Sequence, residues 1–333
     1  MKYVAMREPG GPDVLYVDEA PRPHAGPGEV LIEVEAAGVA RPDALQRQGK
    51  YPPPKDASPI LGLEVAGTIV DKGADTHRFA VGDRVVALCN GGGYAAEVAV
   101  PEGQVLPLPP SWSFIDGASL PENMFTVYDN LFVRARLTAG ETVLVHGGTS
   151  GIGSTAIQCA VAIGADVIST AGSEEKCRAM LEMGARAAIN YRTSDFVERV
   201  MALTDGRGVD VVLDIVGGDY VDRDLRALAT DGRIACLATA GGAVAAIDLR
   251  YLLSRRATIL GSSLRPRSRE EKAAIARGLE RDIWPRLRER GAIRPLVDSV
   301  FSFADASKAH ARLESSSHIG KIVLVPDPPG PTA

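Results

Sequence analysis

The stretch Thr142–Gly153, T-V-L-V-H-G-G-T-S-G-I-G, decides the fold of this chain. An apolar strand runs into a glycine-rich turn, and an apolar helix follows at once. The exposed N–H groups at the start of such a helix and the positive end of its dipole attract phosphate. Glycine also lets the backbone approach a pyrophosphate closely. The pattern therefore predicts a dinucleotide-binding unit.

The glycine pattern is incomplete. A strict G-x-G-x-x-G that begins at Gly148 would need a glycine where Ser150 stands. A glycine-rich turn without a ligand is therefore an open alternative, and the surrounding sequence has to decide.

Six apolar segments with helical segments between them predict a doubly wound parallel sheet, an α/β Rossmann fold, over residues 123–266. Residues 1–122 alternate short strands with Gly, Pro and Asp turns, which predicts a β-rich domain. Residues 267–333 return to it and begin with a predicted long helix, Arg269–Arg290. The predicted strands of the parallel sheet are Val143–Val145, Ala165–Thr170, Ala187–Asn190, Val209–Val216, Arg233–Ala238 and Thr258–Gly261.

The bulk composition limits the classes of protein. A length of 333 residues with 45% hydrophobic and 24% charged residues indicates an ordinary globular chain of two domains. The net charge of −5 disfavours a nucleic-acid-binding surface, and no apolar run approaches the ~20 residues of a membrane span. The four cysteines form no C-x-x-C pair and no secretory signal is evident, so a reducing, cytoplasmic location is expected.

The end of the second predicted strand points to the cofactor. NAD-binding units carry an acidic residue there, whereas this strand ends Thr-Ala-Gly-Ser at residues 170–173. Ser173 and Lys176, with Tyr191 after the third strand, suit a 2′-phosphate, because that group needs hydroxyl donors and a cation. The sequence therefore predicts NADPH.

Two alternatives stay open at this strand end. Ser173 could simply cap the next helix, although a capping role is compatible with phosphate binding. Glu174 or Glu175 could act as a displaced ribose acceptor, which would favour NADH.

A short-chain dehydrogenase is disfavoured. That family needs a Tyr-x-x-x-Lys helix after the glycine loop. Tyr51 and Lys55 have the spacing, but they precede the loop and three prolines lie between them. Prolines cannot fill a helix interior, so the match is a coincidence.

Several segments together resemble a known family. The chain is similar to the zinc-free quinone oxidoreductases of the medium-chain dehydrogenase/reductase superfamily, closest to the tumour-suppressor-inducible branch. The resemblance implies a GroES-like fold for the β-rich domain. The segments that carry it, besides the glycine loop, are Asp43–Tyr51, Ile60–Gly67, Ser119–Glu122, Thr170–Ser173 and His318–Leu324.

The residues disfavour a metal. Zinc-dependent members carry Gly-His-Glu where this chain has Gly62-Leu63-Glu64, and leucine cannot bind zinc. Without a Lewis acid, the favoured hydride acceptors are already electrophilic, such as quinones or conjugated enones.

The resemblance also implies individual roles. Tyr51 would line the substrate cleft and donate a hydrogen bond to the quinone oxygen; its alternative role is to fix a proline-rich loop. Lys321 would lie beside the nicotinamide, or else be a solvent-exposed lysine at a strand end. Relatives carry Asn where Ala40 stands here, for which Arg41 or Asp43 could compensate. The implied cofactor residues are Thr126, Ser150, Gly151, Ile152, Gly172, Ser173, Lys176, Tyr191, Ala238, Thr239, Ala240, Ser262, Ser263, Leu264 and Lys321.

The expected activity is NADPH-dependent reduction of a small-molecule electrophile. An enoyl-thioester reductase of the same superfamily and a low-turnover NADPH-binding sensor are the alternatives. The last predicted strand, around Ile259, would leave an apolar sheet edge open in a monomer, which predicts a homodimer.

Overall fold

The computed structural model describes residues 1–55, 57–288 and 293–327. They divide into two compact units. The first unit contains residues 1–125, 265–288 and those from 295 onward; the second contains residues 126–264 together with 293 and 294.

The second unit is built on a six-stranded parallel sheet, which confirms the predicted Rossmann architecture. The strands are β8 (Thr142–His146), β9 (Asp166–Ala171), β10 (Ala187–Asn190), β11 (Val209–Asp214), β12 (Leu228–Cys236) and β13 (Thr258–Gly261). They lie in the order β10-β9-β8-β11-β12-β13, so successive strands are added on one side of β8 and then, from β11 onward, on the other. In such sheets ligands bind outside the carboxyl ends of the strands, near the switch point between β8 and β11.

Helices pack on this sheet around an apolar core that includes Leu144, Ile168 and Val212, all fully buried. Ser, Asp or similar side chains begin most of these helices by accepting a backbone N–H bond. A π-helical turn, Tyr128–Arg134, precedes the sheet. The helices are α4 (Gly151–Ala162), α5 (Glu174–Glu182), α6 (Phe196–Leu203), α7 (Tyr220–Ala227) and α8 (Leu249–Ser254).

Four of the six predicted strands differ from the observed strands at one or both ends, and the difference is largest in β12. The strand predicted at Arg233–Ala238 begins at Leu228, because Leu228 already pairs with Val209 ahead of an irregularity in the register. It ends at Cys236, so Ala238 lies in the loop that follows.

The first unit contains a two-stranded ribbon and a seven-stranded mixed sheet. The strands are β1 (Lys2–Met6), β2 (Leu15–Glu19), β3 (Glu29–Val39), β4 (Glu64–Lys72), β5 (Arg84–Leu88), β6 (Glu97–Pro101), β7 (Val105–Pro107), β14 (Val297–Ser302) and β15 (Lys321–Val325). β1 and β2 form the ribbon, and the sheet has the order β14-β15-β3-β4-β5-β7 with β6 also paired to β3. All pairs except β14 with β15 are antiparallel. The core of the unit includes Val30, Ile69 and Val85.

The predicted long helix Arg269–Arg290 is wrong in its extent. Two helices, Arg269–Asp282 and Trp284–Arg288, replace it, with the break at Ile283. Pro285 has no N–H to donate to the preceding turn, so the first helix cannot continue through it; the predicted residues 289 and 290 lie outside the described range. The helices are α1 (Arg41–Arg47), α2 (Phe114–Ala118), α3 (Pro121–Val127), α9 (Arg269–Asp282), α10 (Trp284–Arg288) and α11 (Ala306–Glu314). No described helix is both long and apolar enough to cross a membrane.

Candidate functional site

The glycine loop lies between β8 and α4, at the carboxyl edge of the parallel sheet. Gly147 has a φ of +65°, a left-handed conformation that favours glycine. The Ser150 hydroxyl accepts a hydrogen bond from the Gly153 N–H at 3.0 Å and donates one to the Gly147 carbonyl at 2.8 Å. The amides of Gly151 and Ile152 in the first turn of α4 have no acceptor within the helix, so they can serve an anion.

A buried polar network of His146, Thr170 and Asp224 lies directly before the glycine loop in the fold, at the end of β8, and the sequence reasoning missed it. His146 donates or accepts through both ring nitrogens, with Nδ1 2.9 Å from Thr170 Oγ1 and Nε2 2.8 Å from Asp224 Oδ1. All three side chains are buried, and burial raises the pKa of Asp224. The network joins the ends of β8 and β9 to α7. A histidine at the end of an otherwise apolar strand was the available signal.

Three of the residues predicted to surround a 2′-phosphate, Gly172, Ser173 and Tyr191, lie together after the end of β9. A Cβ placed on Gly172 would lie 2.7 Å from the Tyr191 hydroxyl and 3.3 Å from Nε of Arg192. Ser173 caps α5, accepting a bond from the Lys176 amide at 3.3 Å. Arg192, which sequence reasoning missed, therefore adds a guanidinium to this corner. It directly follows Tyr191 in the chain, which was the only signal for it.

The structure shows what Glu174 and Ser173, the subjects of the two alternatives at this corner, contact. The Glu174 carboxylate accepts a hydrogen bond from the Asn190 side-chain amide at 2.6 Å. That contact holds Glu174 toward β10. Ser173 is a helix cap, as one alternative held. A capping role is compatible with phosphate binding, which stays a prediction.

The other predicted cofactor residues of this unit follow neighbouring strands. Ala238, Thr239 and Ala240 are exposed after β12. Residues 262–264 come after β13, and the Ser262 hydroxyl donates to Asp129 at 3.1 Å. Because the carboxyl ends of parallel strands share one edge, these residues and the glycine loop lie along the same edge of the sheet. Thr126 lies in α3, where its carbonyl accepts a bond from the Asn130 side chain at 2.8 Å.

Tyr51, the predicted catalytic residue, lies in the first unit and is half-buried. The guanidinium carbon of Arg265 lies 5.3 Å from the centroid of its ring, in cation–π geometry. Arg265 is itself 7% exposed. Tyr51 is thus in contact with a buried cation that sequence reasoning did not select.

Lys321 is not a solvent-exposed lysine, so that alternative is wrong. Its side chain is 5% exposed and pairs with the Glu64 carboxylate, which is fully buried. Burial alone would lower the pKa of Lys321, but the Glu64 and Glu122 carboxylates outweigh it and raise that pKa. The backbone N–H of Glu122 also donates to Glu64, at 2.9 Å.

Ala40 stands where relatives carry Asn, and Asp43 closes the turn that begins at Ala40. The Asp43 carboxylate accepts hydrogen bonds from the Ala40 N–H at 2.8 Å, the Gly62 N–H at 3.1 Å and the Tyr94 hydroxyl at 3.3 Å. Burial raises the pKa of Asp43 to about 6. Asp43 is therefore committed to holding the turn, and Arg41 beside it is exposed.

The residues do not suit a zinc site at the position where related dehydrogenases bind one. Leu63 is 5% exposed and cannot ligate a metal, and the neighbouring Glu64 is paired with Lys321. Within the described ranges, no group of three or more His, Cys, Asp or Glu side chains is arranged to hold a metal ion.

Comparison with known proteins agrees with this architecture. Residues 26–110 match the alcohol dehydrogenase GroES-like domain, and residues 151–279 match the zinc-binding dehydrogenase domain. Quinone oxidoreductase from Rattus norvegicus is 33% identical over 98% of this chain and 98% of its own length. The chain belongs to the quinone oxidoreductase family of the medium-chain dehydrogenase/reductase superfamily.

Solved structures of oxidoreductases superpose on nearly the whole chain. Escherichia coli quinone oxidoreductase complexed with NADPH is 30% identical, with a TM-score of 0.84 over 98% of this chain and 100% of that one. The CurK enoyl reductase is 26% identical, with a TM-score of 0.84 over 98% of this chain and 99% of that one. As a member of the quinone oxidoreductase family, the chain is an oxidoreductase with a GroES-like domain and a Rossmann domain.

Proposed function

We propose that this chain is an NADPH-dependent, zinc-independent reductase that transfers hydride to quinones or to conjugated double bonds. The groups that follow the end of β9 are the observation that supports NADPH as the cofactor. It presents the Ser173 hydroxyl, the Tyr191 hydroxyl and the Arg192 guanidinium, and the strand itself ends without a carboxylate. Hydroxyls and a cation suit a 2′-phosphate, whereas a carboxylate would repel it.

NADPH, when bound, supplies the hydride. The Gly151 and Ile152 amides in the first turn of α4, which Ser150 caps, would hold the pyrophosphate, with Lys176 adding charge at the 2′-phosphate. The remaining residues would hold the nicotinamide end. They are Thr126, Ala238, Thr239, Ala240, Ser262, Ser263, Leu264 and Lys321. We assign cofactor binding to residues 123–266 and substrate binding to the GroES-like residues 1–122 and 267–333.

The substrate class follows from the residues around Tyr51 and Leu63. Tyr51 would donate a hydrogen bond to the substrate oxygen and then a proton as negative charge develops there. Leu63 provides no metal ligand, so the substrate itself must be electrophilic. Quinones and conjugated enones meet that condition.

NADPH oxidation by the purified protein tests the proposal. Initial rates are measured with 1,2-naphthoquinone, 9,10-phenanthrenequinone and a 2-alkenal, each with NADPH and with NADH. We expect turnover with at least one acceptor, a preference for NADPH, and rates that survive extensive treatment with a chelator. Absence of turnover on all three acceptors contradicts the proposal, and loss of activity on chelation contradicts zinc independence.

An enoyl-thioester reductase is a second candidate, because the CurK enoyl reductase superposes on nearly the whole chain. Crotonyl-CoA, a short enoyl thioester, separates the two. If it is reduced with a kcat/KM well above that of every quinone, the enoyl-thioester assignment replaces ours. Tight NADPH binding without turnover on any acceptor would instead indicate a sensor.

We further propose a homodimer and a cytoplasmic location. β13 pairs on one side only among the described strands, and Ile259 on it is 38% exposed. An unpaired apolar edge is a natural place for a second copy to add. All four cysteines are free thiols, which supports a reducing compartment.

A further inference from the structure

The hydrogen-bond partners of the buried Arg265 guanidinium are all neutral groups. Its Nε and Nη2 donate to the Asn90 carbonyl at 3.2 and 2.9 Å, and Nη2 also donates to Gln46 Oε1 at 2.7 Å. The third nitrogen, Nη1, is buried without a hydrogen-bond partner among the described residues. Burial lowers the pKa of Arg265, and this effect outweighs the nearby Asp43 carboxylate, which raises that pKa but makes no hydrogen bond or ion pair with Arg265. A full charge and one unused donor are therefore enclosed here.

A second buried cation lies beside it under the same conditions. Lys272 is 1% exposed, and its ammonium donates to Asn90 Oδ1 at 2.6 Å and to the Arg265 carbonyl at 2.8 Å. Burial, and then the charge of Arg265, lower the pKa of Lys272 to about 8. Neither cation has an ion pair with a carboxylate of the described chain.

The other buried cations of the same unit each form an ion pair with a carboxylate. Arg47 pairs with Glu314, and Lys321 pairs with Glu64. A charge removed from water without a counter-charge costs several kcal/mol in real proteins. The absence of a described counter-ion at Arg265 and Lys272 is therefore the exception in this unit. A negatively charged ligand atom would supply what the fold leaves out.

Arg265 packs against Tyr51, the proposed proton donor, so the ligand atom that it would meet is the one that receives the proton. Its guanidinium packs on the ring of Tyr51, 5.3 Å from the centroid. When the electrophile gains a hydride, it gains two electrons with one hydrogen nucleus, and the negative charge settles on its oxygen. One proton, from Tyr51 or water, then completes the reduced product. A donor fixed in place before the charge appears stabilises that charge strongly in a dry site.

We propose that Arg265 is a substrate-binding residue that donates through Nη1 to the oxygen of the hydride acceptor, the atom on which negative charge develops. Asn90 is a positioning residue, because its backbone carbonyl accepts from the guanidinium, and Lys272 ties the Asn90 side chain to the Arg265 backbone carbonyl. This inference rests on the proposed function, since it assumes an electrophile of the quinone or enone class beside Tyr51.

Kinetics of Arg265→Gln provide the first test. With 9,10-phenanthrenequinone, which carries no charge, kcat should fall roughly 100-fold, as it does when one oxyanion donor is removed elsewhere. KM should change by less than about threefold, because the interaction forms mainly in the transition state. Arg269→Gln is the matched control: its guanidinium is 58% exposed and pairs with Glu29, so its kinetics should be those of the wild type.

Binding of 4-nitrophenol provides a readout that does not depend on turnover. This phenol resembles a reduced quinone, and its anion is coloured, so its protonation is visible when it is bound. The wild-type protein with NADP⁺ should lower the pKa of the bound phenol by about one unit or more, as a nearby cation does. Arg265→Gln should abolish the shift, and Arg269→Gln should retain it.

Each outcome has a meaning. A wild-type kcat in Arg265→Gln overturns the proposal, and so does a rise in KM alone, which would indicate ground-state binding of a permanent anion. If the wild type reduces no acceptor, the proposed function fails, while the 4-nitrophenol shift still tests the role of Arg265.

If Arg265→Gln does not fold, Arg265→Lys replaces it. Lysine should keep the phenol shift yet lower kcat by at least about tenfold, because its ammonium cannot place a donor where Nη1 stands; a wild-type kcat there overturns the proposal.

Discussion

Replacing Lys321 with Met should destabilise the first unit substantially. Lys321 is 5% exposed and Glu64 fully buried, and the Lys321 ammonium is the one described partner of Glu64 Oε1. Removal of one member of a buried pair leaves a buried charge uncompensated, which costs about 3–5 kcal/mol. For a unit of this size, that corresponds to a fall in Tm of about 6–20 °C.

Tryptophan fluorescence isolates this unit. The chain has two tryptophans, Trp112 and Trp284, and both are buried in the first unit. Urea and thermal unfolding followed by their emission therefore report the unit that contains Lys321, even if the second unit unfolds separately.

Two further variants test the explanation. Lys321→Met combined with Glu64→Gln removes both charges and should recover most of the lost stability. Lys308→Met is the matched control, since Lys308 is 72% exposed and its change should be within about 0.5 kcal/mol. A loss below about 1 kcal/mol in Lys321→Met would refute the buried-pair argument. Unchanged stability with weakened NADPH binding would instead support the predicted role beside the nicotinamide.

Four other changes test the site, the cofactor, the pH dependence and the assembly. Tyr51→Phe should lower kcat roughly 100-fold with NADPH affinity unchanged, because the proton donor is lost. Lys176→Ala should raise the Kd for NADPH, measured by cofactor fluorescence, by about tenfold or more and leave NADH unaffected. Asp43 has a folded pKa of about 6 against an ordinary 3.8, so its contribution to stability is complete below pH 3.8 and is lost as pH rises through 6. Wild-type stability relative to Asp43→Asn should fall by about 3 kcal/mol across that window, measured by urea unfolding at each pH. Ile259→Lys should convert a dimer to a monomer in light scattering, whereas Leu181→Lys on exposed α5 should not.

The opposite results are equally informative. An unchanged kcat in Tyr51→Phe would remove the hydroxyl from the chemistry and favour the loop-fixing role. Equal affinities for NADPH and NADH would contradict the 2′-phosphate site. A flat difference between wild type and Asp43→Asn across the pH window would mean that Asp43 ionises in the fold as it does in the unfolded chain. A monomeric wild type would end the dimer proposal.

The sequence by itself determined the Rossmann sheet. Apolar runs such as Val143–Val145, each followed by a helical pattern, predicted all six parallel strands, because strands buried on both faces have few other compositions. The helical periodicity predicted too long a helix at α9, because Pro285 ends that helix by a local effect that periodicity does not include. Local signals such as the serine caps at Ser150 and Ser173 were equally legible, since a cap bonds within three residues.

Only the tertiary structure decided which charges meet. Lys321 pairs with Glu64 although they are 257 positions apart in sequence, and Arg265 contacts Gln46 and Tyr51 from a later segment of the same unit. No spacing rule connects such residues, because their proximity is created by chain return rather than by a helix or strand period. The glycine loop identified the kind of ligand, whereas the buried Arg265 beside Tyr51, with Lys272 next to it, became visible only once the fold had brought these residues together.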